Sequence, residues 1–412
     1  MAGLHKQGAM TLTRKAHFRA ADLRGVGRLA IDATLGLTRL VETMHHNIAR
    51  APGPLGKFSQ EPTRGITGFV YRSIQGTTRL VGSGLDALLG QLAPLLDARL
   101  ASSSGPREAV LAALNGVLGD HLAESENPLA IAMQLRRDGK TLTPSRESLT
   151  ADIPRPSGKI LLLVHGLCMN DLQWRRNGHD HGEALAKAGG FTPVYLHYNS
   201  GLHISTNGRS LDTILERLVS AWPVPVEQLV IVAHSMGGLL ARSACHCARK
   251  AKHGWPQHLH SIFFLGTPHH GAPLERGGNW IDVILGFSPY TAALARLGKI
   301  RSAGITDLRH GSLLDQDWLH GDRFARSRKH PPLPLPEGVR CYAIGVALSA
   351  DGPGSALLGD GLVPLNSALG RHADAAHCLD FPESNCWVGY DLNHMDLLDN
   401  ARVYAQLKRW LC

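Results

Sequence analysis

The first candidate for chemistry is a serine that follows an apolar, β-branched run. The segment from Leu229 to Leu240 reads L-V-I-V-A-H-S-M-G-G-L-L, and a helix-forming stretch follows it at once. Ser235 therefore lies at a sharp strand-to-helix turn, where a serine hydroxyl is exposed above a sheet. Ala233 and Gly237, two residues before and after it, are small because the two backbones nearly touch there. A serine between small residues is weak evidence alone, so the rest of the chain must supply a base, an acid and oxyanion donors.

A histidine and an aspartate further along the chain are candidates for the base and the acid. His394 lies in a polar turn just before the last helix-forming stretch, and Asp360 lies between two glycines in Gly359 to Pro364. An imidazole can take the serine proton and return it to a leaving group, while a carboxylate fixes the imidazole tautomer. We therefore expect Ser235 as nucleophile, His394 as base and Asp360 as acid. A plain Asp-Gly turn is the structural alternative for Asp360. Other candidates are Asp351 and Asp380 for the acid, and His269 and His270 for the base.

Backbone amides near two strand ends can stabilise a developing oxyanion. An apolar run ends at Val164 and is followed by His165 and Gly166, so an N–H just past this turn can be aimed at the reacting atom. The N–H of Met236, which follows Ser235, is the second candidate. We expect His165 to hold the turn in place and not to carry protons.

The elements that must position these residues alternate between strand and helix. Apolar runs predict strands at 160–164, 192–197, 229–232, 261–265 and 339–347, and helical patterns cover 211–222 and 395–411. This alternation predicts a right-handed, mostly parallel α/β sheet flanked by helices, with the site beyond the carboxyl ends of its strands. Ser235, His165 and Asp360 follow predicted strands, as that geometry requires, and His394 precedes the last predicted helix.

With these motifs in place, residues 159–412 resemble an α/β-hydrolase-fold lipase or esterase. The A-H-S-M-G-G segment is similar to the elbow of bacterial lipases with alanine in the first position. L-G-T-P-H-H-G and D-G-L-V-P resemble segments of lipases and of GPI inositol-deacylase-like serine hydrolases. The resemblance implies cleavage of carboxylic esters through an acyl-serine, with Leu167 and Met236 as the oxyanion amides. It also implies a lid-like insertion at about 272–337, where Trp280, Ile284 and Phe287 would cover an acyl pocket or, alternatively, belong to the core.

Residues 1–150 differ from the rest and are predicted to be a separate helical region, with the catalytic domain at 151–412. They are rich in Ala, Leu, Gly and Arg, and the pattern of 24–41 returns once at 64–81. Two copies are too few for a solenoid. Two interpretations remain open, a small helical cap or a basic amphipathic surface that associates with a membrane.

Composition narrows the remaining function classes. The chain of 412 residues is 43% hydrophobic and 19% charged, which is enough for a sizeable core, and its net charge is +9. We find no nucleic-acid-binding module, secretory signal or membrane-spanning stretch, and the 7 cysteines form no repeated C-x-x-C pattern. We expect no metal, because neighbours in Cys245 to Cys247 point in different directions on a helix, and no cofactor.

The sequence therefore predicts a cytoplasmic ester hydrolase, with a peripheral membrane association left open. Its expected substrate is a small-molecule or lipid-like ester, and no nucleic acid partner is expected. The same triad could instead transfer the acyl group to an alcohol, and a non-catalytic membrane-associated scaffold is the alternative from another class. Chain length and composition leave the oligomeric state open.

Overall fold

The chain divides into two compact units. The first comprises Met1–Glu108 with Asn127–Leu129, and the second comprises Ala109–Glu126 with Ala130–Cys412. The domain boundary expected after residue 150 therefore lies inside the second unit. The structure is a computed structural model that describes residues 21–22, 24–32, 34–35, 105–272, 302–319, 331–350 and 359–412.

The described part of the first unit is mainly helical. Residues 21–22, 24–32 and 34–35 are in helix, and one edge of the Arg107 guanidinium, Nε and Nη2, donates to both carboxylate oxygens of Asp22 at 2.6 and 2.5 Å. Asn127 donates a side-chain hydrogen bond to the carbonyl oxygen of Gly25 at 3.1 Å. The second copy of the sequence repeat, at 64–81, lies outside the described residues, as does most of the predicted membrane-associating surface.

The second unit is built on a mostly parallel sheet, which confirms the predicted fold class. The described residues form eight strands in the order β2-β1-β4-β3-β5-β6-β7-β8, with β1 antiparallel to β2 and β4 and the other pairs parallel. The strands are β1 Gln134–Arg137, β2 Lys140–Leu142, β3 Lys159–Val164, β4 Thr192–His197, β5 Gln228–His234, β6 Leu259–Leu265, β7 Arg340–Ala347 and β8 Cys386–Tyr390.

Helices cover both faces of this sheet. Those in the described residues are α1 Gly105–Glu124, α2 Arg146–Asp152, α3 His181–Gly189, α4 Ile204–Ala221, α5 Met236–Ala251, α6 Ala303–His310, α7 Leu365–Ala368 and α8 Ala401–Leu411. In β3, Ile160 and Leu162 face a core shared with α4 and α5. Leu161 and Leu163 face the opposite core, shared with α3 and α8. The run of large apolar residues in β3 is therefore explained by burial on both faces.

Three strands were not predicted from the sequence. β1 and β2 are short and rich in Lys, Arg, Gln and Thr, and each places a single leucine, Leu135 or Leu142, in the core. β8 is an edge strand in which only Gly389 is buried. Periodicity cannot identify such strands, because a half-exposed segment of three to five residues has almost no alternation to detect.

Local capping corrects several predicted boundaries. Helix α2 starts inside the region predicted to end at residue 150, because the Ser145 hydroxyl accepts a hydrogen bond from the Ser148 amide. The predicted helix at 211–222 begins earlier, at Ile204. The last helix begins at Ala401 and not at Met395, because the Asn400 side chain caps it and residues 396–398 form a separate 3-10 turn.

Among the residues that the structure describes, no helix is long and apolar enough to cross a membrane.

Candidate active site

Ser235 lies at the turn between β5 and α5 with a strained backbone. Its φ is +54° and its ψ is −123°, a conformation that costs a non-glycine residue about 1–3 kcal/mol. Two hydrogen bonds hold it there. The Ser235 amide donates to the carbonyl oxygen of Leu265 at 2.8 Å, and the Ser235 carbonyl oxygen accepts from the Gly238 amide at 3.1 Å. Strand β6 and helix α5 together therefore fix the position of the serine.

The small residues around Ser235 are required by close contact with the neighbouring strand. A Cβ placed on Gly237 would lie 2.6 Å from the carbonyl oxygen of Val164 and 2.7 Å from that of His165. A Cβ on Gly166 would lie 3.1 Å from the Cβ of Ser235. The backbone after β3 is therefore in contact with the elbow, which is the close approach that the sequence pattern predicted.

Asp360 and His394 form a buried pair. The Nδ1 atom of His394 lies 2.6 Å from Oδ2 of Asp360, and the two side chains are 4% and 1% exposed. The other carboxylate oxygen accepts hydrogen bonds from the amides of Leu362 and Val363 at 2.9 and 2.8 Å. Three donors on one buried carboxylate keep it oriented toward the imidazole ring.

The two alternative acids do not share this environment. Asp351 lies outside the described residues, and Asp380 is exposed. The backbone turns on both sides of Asp360 fix its position. Gly359 and Gly361 allow these turns because they adopt positive φ values of +51° and +92°. The Asp360 carbonyl oxygen also accepts a hydrogen bond from the His394 amide at 3.1 Å.

His394 lies beside the strand-to-helix turn that carries Ser235, here called the elbow. A Cβ on Gly266 would lie 3.2 Å from both Cε1 and Nδ1 of the His394 ring, and Gly266 follows the residue whose carbonyl accepts from the Ser235 amide. Within the described part of the chain, no hydrogen bond joins the side chains of Ser235 and His394. In enzymes without a ligand such hydrogen bonds are often long and shorten only in the substrate complex.

One residue of this site was missed by the sequence reasoning. His234, which precedes the serine, is buried, its Nε2 lies 3.2 Å from the His394 carbonyl oxygen, and the two rings are 4.7 Å apart. Burial lowers the pKa of His234 well below its usual value, and the neighbouring His394 lowers it further. A neutral His234 therefore links the elbow to the His394 loop. The only sequence feature that could have identified His234 is its position immediately before Ser235.

The two residues proposed to supply the oxyanion amides are buried, and their backbone N–H groups have no acceptor among the described residues. Leu167 and Met236 are 3% and 1% exposed, and neither amide donates a hydrogen bond to any described residue. Buried backbone N–H groups rarely lack an acceptor. Both are therefore available to a bound group.

His165 supports the loop that carries Leu167. Its carbonyl oxygen accepts a hydrogen bond from the Tyr198 hydroxyl at 2.9 Å, and the two rings stack with centroids 4.3 Å apart. Burial lowers the pKa of His165 to about 3, so the ring is neutral near pH 7. These contacts suit the structural role expected for this residue.

His269 and His270, the two alternative bases, lie in the loop after β6, where their side chains contact residues outside the proposed triad. His269 is buried against the Phe264 ring, with centroids 4.9 Å apart, and its Nδ1 lies 3.3 Å from a guanidinium nitrogen of Arg242. The ring of His270 lies 4.9 Å from the ring of His372, centroid to centroid. Neither histidine forms a hydrogen bond with Ser235 or Asp360 in the described structure.

The remaining predicted features are a lid and the lack of a metal. Trp280, Ile284 and Phe287 lie outside the described residues. Among the residues that are described, no group of three His, Cys, Asp or Glu side chains could hold a metal ion.

Comparison with known proteins confirms the family resemblance over part of the chain. Residues 155–335 match the family model described as PGAP1-like alpha/beta domain. This segment includes Leu167 and Ser235, whereas Asp360 and His394 lie beyond it. The search of curated proteins finds no match.

Solved structures with a similar fold include three lipases or related proteins. The mature form of Bacillus licheniformis lipase BlEst2 is 16% identical with a TM-score of 0.40, and the match covers 62% of this chain and 94% of that one. Aspergillus fumigatus lipase B is 12% identical with a TM-score of 0.38, covering 65% of this chain and 57% of that one. A lipase-esterase related protein from Clostridium acetobutylicum is 14% identical with a TM-score of 0.33, covering 61% and 94%.

Proposed function

We propose, from the match of residues 155–335 to the PGAP1-like alpha/beta domain, that this chain is a serine hydrolase of carboxylic esters. One observation carries the proposal. A serine in a strained turn lies beside a buried histidine, and that histidine is 2.6 Å from a buried carboxylate. In chain order these residues are Ser235, Asp360 and His394, the order found in α/β-hydrolases.

In the acylation step, the Ser235 hydroxyl attacks the carbonyl carbon of the ester while His394 Nε2 accepts its proton. Asp360 holds the proton of His394 on Nδ1, which leaves Nε2 free to act as the base. The amides of Leu167 and Met236 donate to the oxyanion of the tetrahedral intermediate. Removing one donor from such a site typically costs about 3–4 kcal/mol.

The intermediate collapses when the carbon–oxygen bond to the alcohol breaks. His394 returns its proton to the departing alkoxide, and the acyl group stays on Ser235 as an ester. Water then attacks the acyl-serine with His394 again as the base, which releases the carboxylic acid and regenerates the serine. His234 contacts the His394 loop and is proposed to keep the imidazole beside Ser235.

We extend the proposal to lipid-like acyl esters. Two features of the sequence support this extension. The lid-like insertion predicted between 272 and 337 contains apolar residues at helical spacing, and the net charge of +9 favours anionic or membrane-bound substrates. A panel of nitrophenyl esters of increasing chain length, triglycerides and phospholipids tests this extension. Higher kcat/KM for short water-soluble esters than for every lipid would contradict it.

A fluorophosphonate probe tests the nucleophile directly. We expect labelling of the wild type and none of Ser235→Ala. Ser243→Ala is the matched control, because Ser243 is also a buried serine, about two turns along α5 from Ser235, and its hydroxyl donates to the Leu313 carbonyl oxygen. Persistent labelling of Ser235→Ala would show that another residue is the nucleophile.

His394→Ala should lose ester hydrolysis, whereas His269→Ala should keep it.

A further inference from the structure

A polar cavity is lined by residues other than the proposed catalytic ones. Its volume is about 480 Å³, and its lining comes from α5, the loop after β6, and segments 310–317, 331–333 and 372–379. Neither the proposed triad nor the oxyanion residues line it. The lining is unusual in its chemistry, because it combines one guanidinium group with five imidazole rings.

Arg242 is the buried charge of this cavity. Its side chain lies on α5, two turns beyond Ser235, and it is 4% exposed. One terminal nitrogen lies 3.3 Å from His269 Nδ1 and the other donates to the Leu333 carbonyl oxygen, while Nε has no partner. Within the described residues, Arg242 forms no ion pair with a carboxylate.

A buried cation without a counter-ion is costly, and that cost points to a ligand. Burial lowers the pKa of Arg242 to about 10, so the guanidinium remains charged near neutral pH. A buried charge that is left unpaired destabilises the folded state. An anion bound in the cavity would remove most of this penalty.

The neighbouring imidazoles add further donors. The Nε2 atoms of His269 and His270 are buried and have no hydrogen-bond partner. The His270 ring lies 4.9 Å from that of His372, which in turn lies 5.1 Å from that of His377. No cluster among the described residues has the arrangement of a metal site, so this row of rings is better suited to donate to oxygen atoms.

The two acidic residues of the lining are engaged by the backbone. Asp317 accepts hydrogen bonds from the amides of Leu313 and Leu314 at 2.8 and 2.9 Å. Asp374 accepts from the Ala376 amide at 3.0 Å, and its other oxygen lies 4.0 Å from His377 Nε2. The unpartnered buried polar atoms of Arg242, His269 and His270 are, by contrast, all nitrogens. Their complement is a compact group with several acceptor oxygens and a negative charge.

We infer that this cavity binds a phosphate group. One arginine and five histidines line the same cavity; their N–H groups can donate to the acceptor oxygens of phosphate, and a guanidinium can pair with two of them at once. The phosphate is carried either by a free anion or by the head group of a lipid. The inference does not depend on ester hydrolysis, and a chain with an inactive Ser235→Ala substitution should bind equally well.

Titration calorimetry of the full chain with inorganic phosphate, at constant ionic strength, tests the site. We expect measurable binding to the wild type and at least tenfold weaker binding to Arg242→Gln. Arg249→Gln is the matched control, because it removes the same charge from an exposed position on the same helix. His372→Gln, at an exposed position of the lining, should weaken binding severalfold without altering the buried core. If Arg242→Gln fails to fold, the phosphate affinity of His372→Gln tests the site instead.

Vesicles separate the two sources of phosphate. Binding to phosphatidylcholine vesicles that contain phosphatidic acid, lost in Arg242→Gln and competed by inorganic phosphate, would assign the site to a lipid head group. Binding of inorganic phosphate without such vesicle binding would assign it to a soluble anion. No binding of either, or equal binding by the wild type, Arg242→Gln and His372→Gln, would overturn the inference.

Discussion

Replacing Asp360 by asparagine changes the charge of the site while keeping the shape of the side chain. In the structure, Oδ1 of Asp360 accepts from the Leu362 and Val363 amides at 2.9 and 2.8 Å, and Oδ2 lies 2.6 Å from His394 Nδ1. Asparagine has a single acceptor oxygen. That oxygen should face the two amides, because an NH2 group in its place would lose both hydrogen bonds.

The NH2 group of the asparagine then faces His394 Nδ1. His394 can accept this hydrogen bond only with its own proton on Nε2, the nitrogen that must receive the Ser235 proton. The same substitution in a serine protease lowers kcat about 10⁴-fold, which corresponds to about 5 kcal/mol of transition-state stabilisation. We expect a loss of kcat of this order in Asp360→Asn, with KM nearly unchanged because Asp360 is buried behind His394.

Steady-state hydrolysis of a nitrophenyl ester, together with urea denaturation, measures the effect. Because a neutral hydrogen bond replaces a charge-assisted one, the free energy of unfolding should fall by about 1 kcal/mol. Asp380→Asn, at an exposed aspartate that the sequence left open as the acid, is the control and should retain wild-type kcat. A folded Asp360→Asn variant with more than a tenth of wild-type kcat would refute the reasoning.

Three further perturbations test the surroundings of the site. A methyl group on Gly237 would come within 2.7 Å of the His165 carbonyl oxygen, so Gly237→Ala should lower the free energy of unfolding by about 1–3 kcal/mol; an unchanged urea midpoint would contradict this. A methyl group on Gly116 of α1 would lie 2.9 Å from the Cα of Cys168, next to a proposed oxyanion amide. Gly116→Ala should therefore lower kcat roughly tenfold to a hundredfold at unchanged KM, and equal kcat in the variant would show that the loop does not move. Burial lowers the pKa of both His165 and His181 from 6.5 to about 3, so between these values the unfolded chain binds more protons. Their contribution to stability is present above pH 6.5 and is lost as the pH falls toward 3, with a slope of about 2.7 kcal/mol per pH unit for the pair. Urea unfolding at several pH values measures the total slope, which His181→Gln should reduce by about 1.4 kcal/mol per pH unit; an unchanged slope in that variant would argue against a neutral, buried His181.

The sequence alone was enough to predict the fold class and the position of the serine turn. Both depend on local information. Buried parallel strands such as β3 and β5 are continuous apolar runs, and a strand that turns sharply into a helix needs small residues at Ala233 and Gly237 because of the contact with the backbone after Val164. The sequence also placed Asp360 after the predicted strand at 339–347, where side chains gather at one edge of a parallel sheet, and His394 in a turn before the last helix.

Only the tertiary structure decided which side chains meet. Asp360 and His394 are 34 residues apart, and Asp380, nearer in sequence, is exposed, a difference that no local pattern records. The strands β1, β2 and β8 join the sheet through backbone hydrogen bonds, which are available to any sequence and leave little trace in side-chain periodicity. His234 beside His394, and Arg242 beside His269, are likewise products of long-range packing. Their chemistry depends on burial and on neighbours brought together by the sheet, and neither is encoded in the residues next to them in the chain.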